Sequence, residues 1–363
     1  MSSPLLGRPG AVEASGPDAG VAWHYGDPVA EQRALEAGSA VVDQSHLGVV
    51  TVTGPDRLTW LHSLTSQHLS GLPAGTSTEL TVLSPQGHVE HLAGVVDDGA
   101  TTWLLTESAA GLVAWLDRMR FMLRVEVADV TEQWAAIGEP VDAEGEPGGQ
   151  IVWRDPWPRT AAGGADYGPP DEDHPARPWR LVLVPRSALA QEVAAREAEG
   201  ARLAGTWATE ALRIAAWRPR AAEIDHRTIP HELDLLRTAV HLNKGCYRGQ
   251  ETIARVHNLG RPPRRLVLLH LDGSGHVLPE PGAQVLAGER AVGVVTSVAR
   301  HHELGPIALA VIRRSVPADE TLLVAAQDGA VAAAQEIVVR PDHQPAVRTA
   351  PQVTRGLRPP TRT

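Results

Sequence analysis

The sequence predicts an α+β fold with a ferredoxin-like unit in its first half and a small β-barrel towards its end. Two observations carry this. Between residues 48 and 137 strands and helices follow one another as β-α-β-β-α-β, the order of a ferredoxin-like unit. From Arg265 onward the helical period gives way to short apolar runs broken by Gly and Pro, the pattern of a small barrel.

Residues 1–20 are rich in Gly, Pro, Ser and Ala without periodicity and are expected to be disordered. Residues 21–262 form the main region. Val29 to Ala37 reads as a helix, and Ala40 to Val42 and Gly48 to Val52 read as strands. Asp56 is placed to cap a helix whose Leu58, Leu61 and Leu64 share one face. Glu79 to Leu83 and Val89 to Val96 form a strand pair across Ser84-Pro85-Gln86-Gly87, followed by a strand at Thr102 to Thr106. Leu112 to Met122 is the second helix of the unit, and Val125 to Val130 and Trp134 to Ile137 return to strand. The Pro/Gly/Asp-rich stretch 138–178 reads as a long loop. A strand at Leu181 to Val184 and helices at Ala188 to Glu199 and Thr206 to Ala215 follow. Short helices at Pro230 to Leu236 and Gln250 to His257 complete the region. The barrel domain, 263–343, takes strands at Leu266 to Leu271, Ala291 to Val298, Ile307 to Ile312, Thr321 to Ala325 and Ala332 to Val339, and 344–363 reads as a disordered tail.

Composition excludes several classes. A hydrophobic content of 43% is that of a globular protein, and no apolar run is long enough to span a bilayer. No secretory signal pattern is present, and one cysteine allows no internal disulfide, so a cytoplasmic setting is expected. A formal charge of -10 argues against direct, charge-driven nucleic-acid binding.

More telling is how residues are rationed. Of 33 basic residues all but Lys244 are Arg. The only Lys, the only Cys (Cys246), both Asn (Asn243 and Asn258) and one of three Tyr (Tyr247) fall between 243 and 258. That window needs a compact ammonium and a thiol which Arg and Ser do not replace. Its centre is Lys244-Gly245-Cys246-Tyr247-Arg248-Gly249-Gln250-Glu251. Gly245 and Gly249 permit a tight turn or close backbone approach to a ligand. A helix starting near Gly249 puts Cys246 close to its N-terminus and to Lys244, and both favour a thiolate. A buried Cys acting as a small hydrophobe is the alternative, and chemistry alone leaves both open.

The octapeptide resembles the K-G-C-Y-x-G-Q-E signature of the YgfZ-type proteins, a branch of the glycine-cleavage T-protein (aminomethyltransferase-like) superfamily. The similarity extends to Ser45-His46-Leu47-Gly48, Gly54-Pro55-Asp56, Leu83 to Gly87, Leu212 to Ala216, Ile229-Pro230-His231-Glu232, Arg264-Arg265-Leu266, and Gly288 to Ser297 with Gly305 to Leu309. It implies a ring of three domains around a channel that holds tetrahydrofolate or another reduced folate. It also implies a role supporting iron–sulfur client or assembly proteins, including enzymes that modify transfer RNA. Carried over residue by residue, it makes Cys246 the reactive residue with Lys244 promoting its thiolate. Tyr247, Gly245, Gly249, Gln250, Glu251, Arg213, Glu232 and Glu90 become candidate folate-binding residues.

Two departures bear on catalysis. Where aminomethyltransferases carry paired Asp after the glycine hairpin, this chain has Glu90 and His91. Their R-L-E-A-G element has its carboxylate replaced by Ala215 and its glycine by Trp217. Loss of an acid that steers a proton argues against aminomethyl transfer. A folate-dependent one-carbon transferase using Glu90 and a scaffold that binds no folate are the rival readings. No metal is expected, because the pairs His62/His68, His88/His91 and His301/His302 lack a recognised ligand set. Arg255, Arg261, Arg264 and Arg265 read as a basic cluster, either solvated or receiving a carboxylate or phosphate.

Overall fold

The computed structural model describes residues 2–141, 150–275, 277–327 and 329–342. The expected tail, 344–363, lies outside the described residues.

The first sheet is antiparallel throughout and runs Ser77–Leu83, Val89–Asp97, Thr101–Thr106, Gly48–Thr53, Glu126–Asp129. Its last four strands have the ferredoxin-like order, and Ser77–Leu83 adds an edge strand. Helices Arg57–Leu64 and Ala109–Arg118 cover one face, burying Trp60, Leu61, Leu112, Trp115 and Leu116 against Leu80, Val82, Val95 and Leu104. Each such side chain contributes about 1.5–3 kcal/mol. Asp56 does not cap the first helix: its carboxylate accepts from the amide and guanidinium of Arg124 instead.

The second sheet runs Ile151–Arg154, Trp179–Pro185, Trp134–Pro140, Ala40–Asp43, Arg202–Ala204, with only the last pair parallel. It corrects two expectations. Trp134–Pro140 leaves the ferredoxin-like unit for this sheet, and Ile151–Arg154, read as loop, is its edge strand. Gly and Pro on either side of that four-residue strand mask its short apolar run. The two sheets pack face to face through Val49, Val96, Trp103 and Leu105 on one side and Val42, Ala136, Trp153 and Leu181 on the other. Gly94 makes this possible, since a Cβ there would lie 2.6 Å from the Trp153 ring.

The N-terminal segment is ordered rather than disordered. Leu5 is 1% exposed and packs with Val41, Val182, Val184 and Leu189, and Val12–Glu13 pairs with Ala22–His24. Its glycines serve turns: Gly10, Gly16 and Gly20 all have positive φ.

The barrel is closed and six-stranded, in the order Arg264–Leu271, Gly305–Arg313, Arg290–His301, Gln284–Ala287, Leu322–Ala326, Gly329–Ile337. Gln284–Ala287 escaped the sequence reading because it is four residues long between glycines. Helix Thr206–Ala215 joins the parts: Ala208 faces the sheet interface, while Ala211 and Ile214 meet the barrel residues Leu309 and Val311. Among the described residues no helix is long and apolar enough to cross a membrane.

Candidate functional site

Where the two sheets meet helix Thr206–Ala215, a cavity of about 320 Å³ opens. The first sheet contributes Glu79, Glu90 and His91, and the second contributes Trp153 and Trp179. The helix and the turn after it supply Glu210, Arg213, Arg218 and Arg220, and the N-terminal segment supplies Asp18. Asp155, Arg177 and Glu107 complete its charged lining.

The charges are organised as ion pairs. Arg213 binds Glu210 (2.6 Å), Glu223 (3.1 Å) and the Ser297 hydroxyl (2.7 Å). Arg218 binds Glu79 (2.7 Å) and Asp155 (3.1 Å). Arg220 holds Asp18 (2.7 Å), Glu107 (2.9 Å) and Glu210 (3.3 Å). Burial by itself would lower these three guanidinium pKa values, and the acids outweigh it and raise them. Burial likewise would raise Asp18, but the hydrogen bond with His46 and the charge of Arg220 hold it well below the carboxylate range. Glu90, at 3.3 Å from Arg248, is the sixth acid of the lining, and every one of the six has an arginine partner. His91 is pushed down, chiefly by burial, and is neutral at pH 7.

The octapeptide lies outside this lining. The ammonium of Lys244 donates to the carbonyl oxygens of Thr65 (2.6 Å), Gln67 (2.9 Å) and His62, just beyond helix Arg57–Leu64 and in its last turn. All three ammonium hydrogens are thereby engaged, so Lys244 does not donate a hydrogen bond to Cys246. Cys246 is exposed, which decides against the buried-hydrophobe alternative. Tyr247 is buried among Leu83, Val89 and Ile253 with its ring 5.1 Å from the Lys244 ammonium, so it packs in the core. Gly249, at φ +82°, precedes helix Gln250–Leu259, where the sequence placed a helix start. A Cβ on it would lie 2.6 Å from Ser84 O and 3.1 Å from Gly87 Cα. The two glycine turns therefore touch each other. Gly245 and Glu251 are exposed, and Gln250 is partly so.

Of the sequence candidates, Arg213 and Glu90 share the cavity. Glu232 sits elsewhere, fully buried, accepting from Arg264 (2.7 and 3.0 Å) and from the Ile229 amide. Arg264 and Arg265 do not form a basic cluster. They are neighbours on one strand and point to opposite faces, Arg264 to Glu232 and Asp225, Arg265 into the barrel towards Gln335 (2.6 Å). Arg177, Arg218, Arg220, Trp153 and Trp179 were missed. Trp153 and Arg177 sit in the stretch read as loop and Trp179 directly after it, where an Arg next to Pro-Trp was the available signal.

Away from the cavity, Glu36, His301 and His302 bring ligand-type atoms within 4.8 Å of one another. His301 Nδ1 accepts the amides of Glu303 and Leu304 (3.2 Å each), which puts its proton on Nε2 and leaves it a donor, while His302 pairs with Glu36 at 2.8 Å.

A ferredoxin-like sheet, a second sheet packed on it and a closed barrel define a T-protein-like α+β fold. The GCVT N-terminal domain model matches residues 20–138, and that of the glycine cleavage T-protein C-terminal barrel domain matches residues 264–341. An aminomethyltransferase from Thermus thermophilus is 30% identical over 75% of this chain and 79% of its own. The chain belongs to the aminomethyltransferase-like superfamily. A putative chloroplastic transferase of Arabidopsis thaliana is 28% identical over 73% of this chain, which spans 62% of that protein's length. An iron–sulfur cluster assembly factor IBA57 homolog of Mycosarcoma maydis is 26% identical over 62% of this chain and 55% of its own. The aminomethyltransferase T structure from Bartonella henselae shares the fold, with TM-score 0.73 over 93% of this chain and 94% of that one at 16% identity.

Proposed function

We propose that the protein is a reduced-folate-binding accessory factor for iron–sulfur proteins rather than an aminomethyltransferase, with the exposed Cys246 as its reactive group. One observation carries the second half of this reading: all six acids lining the cavity are tied to arginines. A carboxylate held in a buried ion pair is a poor proton carrier, because protonation would strand its guanidinium partner. Aminomethyl transfer needs an acid free to move a proton.

The residues present fit a folate-class ligand. The cavity volume is within the small-molecule range, the largely buried indoles of Trp153 and Trp179 border it, and Arg177 adds a donor for an anionic group. A bound tetrahydrofolate would supply nitrogen atoms able to carry a one-carbon unit. The chain's own part is to exclude water and to orient the ring. The fungal relative's name supports the iron–sulfur half. A second reading, a one-carbon transferase, is favoured by His91, which lines the cavity as a neutral imidazole able to accept a proton.

In a cell lacking its own copy, Cys246→Ala is expected to fail to restore iron–sulfur enzyme activity while the protein accumulates normally. Full restoration would remove the thiol from the account. Turnover of methylenetetrahydrofolate with an amine acceptor, abolished by His91→Ala, would establish the second reading instead.

A further inference from the structure

Four arginines line the cavity, and three are matched to acids. Arg177 is the exception. Among the described residues it has neither an ion-pair partner nor a hydrogen-bond acceptor, and its Nε is buried without one. Its guanidinium lies over the Trp179 ring, 4.1 Å from the centroid, against one wall of the cavity. Stacking fixes the plane of the guanidinium but satisfies none of its five N–H donors.

We infer that Arg177 is the anion-recognition point of the cavity, receiving a carboxylate of a ligand whose aromatic portion lies along Trp179 and Trp153. The inference rests on the reading of this cavity as a folate-class site and names which chemical group of the ligand the protein recognises, and with what. The electrostatics agree. Burial pushes Arg177 down to about 10, and repulsion from Arg213 and Arg218 adds to this against the attraction of Asp155 and Glu210, whereas the other three arginines are raised. A half-buried cation that is short of negative charge, with its Nε sealed off without an acceptor, costs stability and gains most from an incoming anion. Arg suits the role better than Lys, because its planar fork can stack on the indole and still offer paired donors to a carboxylate.

The test is a set of fluorescence titrations on the full chain, whose ten Trp include two in the cavity wall. The probes are 5-formyltetrahydrofolate, p-aminobenzoyl-glutamate (the aromatic dicarboxylate contained in it) and a tetrahydropterin without carboxylate. Arg177→Gln is expected to weaken both carboxylate probes about 10- to 100-fold and to leave the pterin unchanged. Arg177→Lys is expected to fall between. Without ligand, Arg177→Gln is expected to melt at or above the wild-type temperature, since an unmatched charge has been removed; a purely structural stacking role would lower it. Equal affinity of wild type and Arg177→Gln for the carboxylate probes, or a variant that melts well below wild type, would overturn the inference. Failure of wild type to bind 5-formyltetrahydrofolate while p-aminobenzoyl-glutamate binds in an Arg177-dependent way would reject the folate reading and keep the anion site. Failure of wild type to bind either carboxylate probe would end both.

Discussion

The Lys244 ammonium lies 2.6 Å from the carbonyl oxygen of Thr65, a residue 179 positions away that closes helix Arg57–Leu64. With the carbonyls of His62 and Gln67 it forms a three-acceptor socket for one point charge. This explains the single Lys in a chain that otherwise uses Arg. Three converging carbonyls match the three hydrogens of an ammonium, whereas a planar guanidinium is too wide and its donors lie in one plane. Lys244→Met should therefore cost about 2–4 kcal/mol by leaving part-buried carbonyls unmatched, and Lys244→Arg should not restore it. Urea unfolding measures both, and a variant within 0.5 kcal/mol of wild type, to order of magnitude, would contradict the socket.

The glycines of the octapeptide have a comparable explanation. Gly249 combines φ +82° with a virtual Cβ 2.6 Å from Ser84 O, so Gly249→Ala meets both backbone strain and a clash. A loss of at least about 2 kcal/mol is expected. Gly245, whose virtual Cβ meets nothing within 4 Å, should accept Ala with little change. Thermal melts of the two variants side by side test the contrast, and equal losses would refute it.

Cys246 is exposed and free, so Cys246→Ser should leave the melting temperature unchanged. In the native protein the thiol should react with iodoacetamide at a rate close to that in urea. Protection in the native state would mean that the thiol is covered, and its proposed reactive role would fail.

The acid limb of stability should depend on His174. Its ring is sandwiched between Trp157 (4.9 Å) and Trp217 (4.8 Å), its Nε2 has no partner, and burial pushes it down to about 4. Between pH 6.5 and 4 the unfolded chain therefore binds a proton that the folded one refuses, so stability falls as pH falls through that window. The contribution is on the order of 2–3 kcal/mol. His174→Phe, which keeps the edge-to-face ring contacts, should flatten the slope by that amount in unfolding experiments at pH 7, 5.5 and 4. An unchanged slope would assign the acid limb to other groups.

The sequence disclosed the periodic parts of the fold and missed the short ones. Thr206–Ala215 was read with the bounds the structure has, because its apolar face repeats over ten residues. Ile151–Arg154 and Gln284–Ala287 are four residues each, too short for any period to show, and they are held by neighbouring strands. The octapeptide was legible through residue scarcity, but its role was not. Lys244 contacts residues some 180 positions earlier, a relation no local pattern carries. The cavity was half legible: Arg213 and Glu90 emerged from the resemblance. Arg177 did not, since its meaning lies in having no ion-pair or hydrogen-bond partner among the described residues although acids lie near, which only three-dimensional packing reveals.

The central claim, that the cavity holds a reduced folate without supporting aminomethyl transfer, is tested most directly by calorimetric titration of the purified protein with 5-formyltetrahydrofolate. The account predicts saturable binding at one site per chain, with no turnover of methylenetetrahydrofolate under the same conditions. Absence of binding heat at millimolar ligand, or binding accompanied by amine-dependent turnover, would contradict it.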